Sequence, residues 1–196
     1  MFAFLAACGN SNETVTERQN DKNTSKNAAQ TEGTWYHDWN TGMEAAKKEQ
    51  KPVLVDFSAD WCKWCHVMEE KTFSAPEIKK RLDSGWISIR IDTEERDKTG
   101  TVYFDESSRA ALMYLKDENS NFEEKPLSHQ QLLGFFGIRG LPSYLFIDRE
   151  GKPLQKITSY IEKEEFAVIL DFIKEEAYKK NISFEDYRKS KTGGGS

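Results

Sequence analysis

The sequence predicts an α/β domain in which buried strands alternate with amphipathic helices. Residues Val53–Phe57 form a nearly continuous apolar run, which is typical of a central strand covered on both faces. Apolar residues recur at helical spacing on either side of that run, and 37% of the 196 residues are hydrophobic. A chain of this length and composition can build one good core, so we expect one domain.

The first half of the domain is predicted to be helix, strand and helix. Trp39–Gln50 has the apolar spacing of a helix and precedes the apolar strand. Cys65–Phe73 also follows a helical pattern. Ser74 has the position of an N-cap and Pro76 that of a first helical turn, so we expect the helix to be kinked or to restart at Ser74.

The middle of the chain gives a weaker pattern. Trp86–Asp92 alternates and is β-branched, which predicts a second strand. The segment that follows is charged, and we expect one short helix at Ser107–Leu115 and an exposed loop at Lys116–Lys125.

The last part of the domain returns to clear patterns. Ser128–Phe136 is predicted to be a helix, because Ser128 and Gln131 have capping-box spacing. Ser143–Asp148 and Arg149–Thr158 are predicted to be strands around a glycine-containing turn, and Lys163–Tyr178 a closing amphipathic helix. Its inward-facing residues are expected to be Phe166, Ile169, Leu170 and Ile173.

Charge and cysteine usage exclude several classes of function. The net charge of -5 and the scattering of lysines among glutamates leave no basic surface for nucleic acid. Three cysteines are too few for the disulfide framework of a small secreted domain. No run of eighteen apolar residues is present, so we expect any membrane attachment to be through an anchor.

The N-terminal segment indicates such an anchor. Leu5–Cys8 resembles the lipobox of bacterial lipoproteins, and this resemblance implies lipidation of Cys8 within a signal remnant at residues 1–8. Residues 9–33 are polar and predict a disordered tether. The alternative is a chance match, because Met1–Ala7 is short and uncharged for a signal peptide. Residues 191–196 are predicted to be a flexible tail.

The stretch Val55–His66, VDFSADWCKWCH, fits two chemistries. A Cys-x-x-Cys pair followed by histidine is either a redox dithiol or an attachment site for c-type haem. The flanking residues bear on the choice.

Two long segments, in order, resemble the thioredoxin superfamily. VLVDFSADWCKWC at Val53–Cys65 resembles its strand and active-site turn, and GIRGLPSYLFIDREGKPL at Gly137–Leu154 its cis-proline segment. CHVMEEKTFSAPEIKKRL, from Cys65 to Leu82, resembles the extracytoplasmic branch that includes the C-terminal domain of DsbD and SoxW-like thioredoxins.

The resemblance implies a thioredoxin fold, with a central mixed sheet flanked by helices, at residues 34–190. The chain departs from small thioredoxins by an insert at about 93–127, before the cis-proline helix, and by Lys63–Trp64 between the cysteines. Because of the insert, the partner cannot be carried over from small thioredoxins. Because of the dipeptide, the redox potential cannot be carried over either.

The two cysteines are expected to form a redox couple. Cys62 at a helix start receives unpaired N–H groups and the positive end of the helix dipole, so its pKa is expected to fall to about 7 or lower. Cys65 lies one turn on, within disulfide reach. We expect Cys62 to attack a partner disulfide and Cys65 to resolve the intermediate. Structural cysteines or half a zinc site are the alternatives, and the latter lacks a second ligand pair.

Asp56 falls in a strand that is buried on both faces. Desolvation should raise its pKa, which makes it a candidate proton acceptor for Cys65. The family position of Asp56 favours this role. The alternative is a structural carboxylate, paired with a buried lysine or bonded to the nearby turn.

A client-binding surface is expected around the sulfurs. The resemblance implies a cis bond before Pro142, which would leave the Leu141 backbone free to pair with an extended client, whereas a trans proline is the alternative. Trp61 and Trp64 are predicted to form an apolar rim, with core packing as the alternative for Trp61. Lys63 belongs to the same surface.

His66 would be the axial ligand in the haem alternative. Such a site also needs a second ligand and a porphyrin pocket, which a thioredoxin core lacks. We therefore expect His66 to lie behind the dithiol and to tune the cysteines. The obvious second ligands would be Met68, Met113, His37 and His129.

The sequence as a whole predicts a membrane-tethered, extracytoplasmic thiol:disulfide oxidoreductase of the periplasm or cell envelope. Its expected partners are disulfide-bonded proteins and an upstream thiol donor, for which a membrane reductase is one candidate. Reduction is the favoured direction because of the branch it resembles. No metal or cofactor is expected. The alternatives are a c-type haem electron-transfer protein and a non-catalytic binding module.

Overall fold

Strands and helices alternate along the domain. The computed structural model of the protein describes residues 35–105, 110–113 and 122–192. In chain order its elements are β1 (Trp35–Tyr36), α1 (Trp39–Glu49), β2 (Val53–Ser58), α2 (Lys63–Met68), a π-helical turn (Glu69–Phe73), α3 (Pro76–Gly85), β3 (Ile87–Asp92), β4 (Thr99–Asp105), β5 (Ala110–Leu112), β6 (Glu123–Ser128), α4 (His129–Phe135), β7 (Ser143–Ile147), β8 (Pro153–Thr158), α5 (Lys163–Lys174), a 3-10 turn (Ala177–Lys180) and α6 (Phe184–Thr192).

The central sheet is mixed, as predicted. In the described part of the chain its strand order is β1–β3–β2–β7–β8. β2 pairs in parallel with β3 and antiparallel with β7, so β2 lies in the middle of the sheet. Its five apolar-run residues are all buried, which confirms the prediction from Val53–Phe57. This is a thioredoxin fold.

The two faces of the sheet carry separate cores. On the first face, Val53, Val55 and Phe57 of β2 pack in one cluster with residues of α1 and α4. On the second face, Leu54 packs in another cluster with residues of α2, the π-helical turn, α3 and α5. The predicted inward face of α5 lies in that second cluster: Phe166, Ile169, Leu170 and Ile173 are buried.

The insert contains a second sheet that the sequence did not predict. β5, β4 and β6 form an antiparallel sheet in that order. The predicted helix at Ser107–Leu115 is wrong where the structure describes it, because Ala110–Leu112 pairs with β4. Long-range pairing overrides the helix propensity of an Ala-Ala-Leu segment. The predicted exposed loop is likewise wrong at Glu123–Lys125, which belongs to β6.

The insert is fixed to the first face through α1. The indole Nε1 of Trp39 donates to the Thr101 carbonyl at 2.9 Å, and the Asn40 amide exchanges hydrogen bonds with Thr99 and Thr101. Gly100 permits this approach, since a Cβ there would lie 2.6 Å from Cγ of Trp39.

The dithiol helix ends and a new helix begins at the predicted place, but Ser74 does not have the predicted role. The backbone passes into the π-helical turn, and the Ser74 hydroxyl donates to the Glu69 carbonyl at 2.6 Å. Ser74 is therefore not an N-cap, and that prediction is wrong. Ala75 takes the N-cap position of α3 without a side-chain hydrogen bond, and Pro76 begins the helix as predicted.

Of the predictions for the remaining helix ends, one is confirmed and one is wrong. The predicted capping box between Ser128 and Gln131 is present at the start of α4. The closing helix was predicted to reach Tyr178, but α5 ends at Lys174 and is followed by the 3-10 turn and α6. A left-handed backbone at Glu176, with φ 52°, separates α5 from the 3-10 turn.

Several sequence predictions fall on other parts of the chain. Cys8, the polar tether at residues 9–33 and residues 193–196 of the predicted tail lie outside the described residues, whereas the first two residues of that tail, Lys191 and Thr192, end α6. Within the described ranges, no helix has the length and apolarity needed to cross a bilayer.

Candidate active site

The dithiol follows directly from the central strand. After β2 ends at Ser58, a tight turn closes when the Cys62 N–H donates to the Ala59 carbonyl at 3.0 Å. Cys62 is the N-cap of α2, and its Sγ accepts a hydrogen bond from the Cys65 N–H at 3.1 Å. This contact is the one that the sequence predicts for a sulfur at a helix start, and it favours negative charge on Cys62.

Cys62 and Cys65 are joined as a disulfide. Their Cα atoms are 5.2 Å apart, which is an ordinary separation for a bridged pair. In this bridged form Cys62 is only 4% exposed, and Cys65 is half-buried. The predicted pairing is confirmed.

Two tryptophans form an exposed aromatic surface beside the disulfide. Trp61 is 68% exposed and Trp64 is 56% exposed, so the core-packing alternative for Trp61 is wrong. The Trp64 ring lies against Tyr160, with centroids 5.8 Å apart. Tyr160 was missed because it lies in a loop nearly a hundred residues further along. Lys63, between the two tryptophans, is also exposed.

The proline loop reaches the same end of the sheet as the dithiol. The Leu141–Pro142 bond is cis, as predicted. Ser143, the first residue of β7, pairs with Phe57 near the end of β2. The Ser143 hydroxyl bonds the Gly140 carbonyl and the Thr158 hydroxyl, each at 2.7 Å, and holds the loop. Leu141 is half-buried.

Asp56 lies in β2 below this surface and is 3% exposed. Burial raises its pKa to about 6, although the neighbouring Arg90 guanidinium acts in the opposite direction. Arg90 donates through Nε to Oδ2 of Asp56 at 3.0 Å. Within the described residues Asp56 makes no hydrogen bond to Cys65 in the bridged form. The cation beside it is an arginine rather than a lysine.

Arg90 also joins Asp56 to a second carboxylate. Its Nη2 donates to Oε2 of Glu69 at 2.6 Å, and its guanidinium lies over the Trp35 ring, 4.4 Å from the centroid. Sequence reasoning missed both Arg90 and Glu69. A charged residue inside a predicted strand beside the Asp56 strand was the available signal for Arg90. Nothing in the pattern pointed to Glu69.

His66 is exposed on α2, and its Nε2–H donates to the Asp60 carbonyl at 2.8 Å. The haem alternative needs both sulfurs for thioether bonds and His66 as an iron ligand. Here the sulfurs are bonded to each other and Nε2 is engaged. The candidate second ligands are dispersed: Met113 is buried on the first face, Met68 on the second, and His129 is bonded to the Asp92 carbonyl.

The part of the chain that the structure describes contains no group of three or more His, Cys, Asp or Glu side chains arranged to hold a metal ion.

Comparison with known proteins gives a family match over most of the domain. The model of a thioredoxin-like domain family matches residues 39–174. The chain is similar to spermatogenesis-associated protein 20 of Homo sapiens, with 36% identity over 69 residues. That match covers 35% of this chain and 9% of the human protein, so the chain spans a small part of the first curated relatives.

Two bacterial relatives match longer segments. The thiol:disulfide interchange protein DsbD of Cronobacter sakazakii is 29% identical over 127 residues, which cover 64% of this chain and 17% of DsbD. The disulfide bond reductase DsbH of Chlamydia pneumoniae is 24% identical over 116 residues, covering 59% of this chain and 57% of DsbH.

A solved structure supports the fold. A thioredoxin-fold protein from Helicobacter pylori superposes with a TM-score of 0.58 and 17% sequence identity, covering 84% of this chain and 92% of that one.

Proposed function

This chain belongs to the thioredoxin-like domain family, and from that premise we propose that it is a thiol:disulfide oxidoreductase with Cys62 and Cys65 as its working pair. One observation carries the proposal. The two sulfurs form a disulfide at the start of a helix, with the exposed side chains of Trp61 and Trp64 next to them in sequence.

The reaction begins with the reduced pair. The Cys62 thiolate attacks one sulfur of a client disulfide, forms a Cys62–client bond and releases the other client sulfur as a thiolate. The Cys65 thiol then loses its proton and attacks Sγ of Cys62. The Cys62–Cys65 disulfide forms, and the first client sulfur leaves. The client gains two electrons and two protons, which the pair loses.

Asp56 is the proposed acceptor of the Cys65 proton. Its pKa of about 6 lies close enough to neutral pH for the carboxyl to take and return a proton during turnover. Since Asp56 has no hydrogen bond to Cys65 in the bridged form, we assign this contact to the open dithiol. His66 is the modulating residue, because it shares α2 with Cys65.

Clients are proposed to dock on the surface around the disulfide. Trp61 and Trp64 supply exposed apolar contact, and Lys63 lies between them. The proline loop at Leu141–Pro142 offers its backbone at the same end of the sheet.

Reduction is the proposed direction. The support is the similarity to a protein named disulfide bond reductase and to one named thiol:disulfide interchange protein. In this direction the pair needs an upstream dithiol donor, of which a membrane reductase is one class, to restore the thiols after each turnover.

We place the protein outside the cytoplasm, held at a bacterial membrane by a lipid on Cys8. The support is the lipobox-like Leu5–Cys8 and the polar tether that follows. In a bacterial host, wild-type protein should partition into the detergent phase of Triton X-114, and the Cys8→Ser variant into the aqueous phase. Equal partitioning of the two would contradict the anchor.

Trapping tests the oxidoreductase assignment. A Cys65→Ser variant cannot resolve the intermediate, so it should accumulate a client–Cys62 mixed disulfide that reductant releases on a non-reducing gel. The matched Cys62→Ser variant should trap far less, because it lacks the nucleophile. Equal or absent trapping by both variants would overturn the assignment. Client binding that survives in a Cys62→Ser, Cys65→Ser double variant, together with no trapping, would support the binding module instead.

A further inference from the structure

A row of polar side chains crosses the second face of the central sheet. Asp56 of β2 pairs in register with Arg90 of β3 on one side and with Tyr144 of β7 on the other. Directly paired residues point to the same face of a sheet. Tyr144 and the dithiol helix share the core cluster on that face, so the row lies beneath α2 and the π-helical turn.

Tyr144 is fully buried, and its hydroxyl has no direct hydrogen-bond partner among the described residues. Its ring packs edge-on against Phe73 and Phe166. A phenylalanine would fill the same space without the cost of an unpaired buried hydroxyl. A tyrosine at this place therefore needs an explanation beyond packing.

We propose that the Tyr144 hydroxyl positions the proton of Asp56, through one water molecule that bridges the two side chains. The inference rests on the proposed function, because it concerns the acid that serves Cys65. Buried water is the usual partner of polar groups that lie too far apart for a direct bond. Oδ2 of Asp56 accepts from Arg90, and we assign the water bridge to the other carboxylate oxygen, Oδ1.

Tyr144 stays protonated while Asp56 titrates. Burial raises the pKa of Tyr144 above its ordinary value, and the nearby Asp56 carboxylate raises it further. The other groups that act on these two residues are Arg90, Glu69 and Tyr160. A permanent hydroxyl can donate, through the water, to the ionised carboxylate. It can accept when Asp56 has taken the proton of Cys65.

The experiment compares Tyr144→Phe with wild type in the reduced state. The Asp56 carboxyl is followed by ¹³C NMR from pH 4 to 8, and resolution of the Cys62 mixed disulfide is measured over the same range. The variant loses a donor that stabilises the ionised carboxylate. The midpoint of the Asp56 titration and the midpoint of the pH dependence of resolution should therefore both rise by about half to one pH unit. At pH 6 the resolving rate should fall about two- to fivefold for such a shift.

Tyr178→Phe is the matched control. Its hydroxyl is also buried without a partner in the described part of the chain, but its main charged neighbour is Asp148. This variant should leave both midpoints unchanged. An unchanged Asp56 midpoint in Tyr144→Phe, or an equal change in Tyr178→Phe, overturns the inference.

Two further measurements distinguish failure of this inference from failure of the proposed function or of folding. Mixed-disulfide trapping by Cys65→Ser with no shift in Tyr144→Phe would remove this inference and leave the proposed function standing, whereas absent trapping removes the function itself. If Tyr144→Phe does not fold, wild type gives the answer. In wild type, the hydroxyl proton of Tyr144 should exchange slowly with solvent, and its NMR chemical shift should change as Asp56 titrates. A chemical shift that does not follow the Asp56 titration overturns the inference.

Discussion

Asp56 is held between two opposing influences. Removal from water favours its neutral form, while the Arg90 guanidinium at 3.0 Å favours the carboxylate. Burial is the larger effect, and the pKa rises to about 6. A carboxyl in this range is suited to exchanging a proton with a thiol, and the same property makes the folded state less stable when Asp56 is ionised.

This raised pKa predicts a pH-dependent stability. Between pH 4 and 6 the folded state holds a proton on Asp56 that the unfolded state has lost, so the free energy of unfolding should fall as the pH rises. The fall is at most about 3 kcal/mol, which corresponds to moving that pKa from 3.8 to about 6. Urea denaturation of the oxidised protein from pH 4 to 7 measures it.

Two variants separate Asp56 from the other carboxyls. In Asp56→Asn the fall between pH 4 and 6 should shrink by that amount. Asp171→Asn removes another carboxylate that is bonded to an arginine, Arg81, but is less buried, and it should keep the fall. An identical pH dependence in Asp56→Asn and wild type would rule out the raised pKa.

Single residues were predictable where a motif specified them. Cys62, Cys65 and Pro142 occur in long segments that fix both neighbours and order, and the disulfide and cis bond follow the prediction. Arg90 and Tyr144 escaped prediction because their contacts depend on strand register, which brings together residues far apart in sequence.

Elements with a strong local pattern were predicted, and those that depend on distant pairing were not. The apolar run of β2 and the capping box of α4 specify their structures locally. In the insert, β6 begins with three charged residues, and the three-residue β5 becomes a strand only through its pairing with β4. Capping residues and Pro76 likewise placed the end of the dithiol helix near Ser74 but could not identify the π-helical hydrogen bonds that precede it.

The contact between β4 and α1 gives a prediction at this scale. A Cβ at Gly100 would meet Trp39 Cγ at 2.6 Å and Leu132 Cδ1 at 2.8 Å, both within the first-face core. Gly100→Ala should therefore lower the free energy of unfolding by about 1–3 kcal/mol, as overpacking does. Chemical denaturation measures the change.

Gly134→Ala is the control for this substitution. Gly134 lies inside α4, and among the described residues no atom beyond its chain neighbours and the backbone of its own helix lies within 4 Å of a Cβ placed on it. Alanine there should raise stability by about 0.5–1 kcal/mol, because it suits a helix better than glycine. An unchanged free energy of unfolding in Gly100→Ala would contradict the prediction and show that the insert can shift away from Trp39 to make room for the methyl group.

At the scale of the whole molecule, the insert and the dithiol helix pack on opposite faces of the central sheet. The first face packs α1, α4 and the insert, and the second packs the dithiol helix above the row from Arg90 to Tyr144. The two ends of the insert are held close together, since His129 Nδ1 at the start of α4 donates to the Asp92 carbonyl at the end of β3 at 2.9 Å. The insert therefore packs on the face of the sheet opposite the dithiol helix.

The most direct test of the central claim follows hydrogen atoms between two proteins. Reduced protein is mixed with an equimolar disulfide-bonded client such as insulin, quenched in acid and weighed by mass spectrometry. We predict that the protein loses two hydrogen atoms, localised to a Cys62–Cys65 bridge, as the client gains two. Unchanged masses after hours at neutral pH, with a client that dithiothreitol reduces under the same conditions, would contradict the claim.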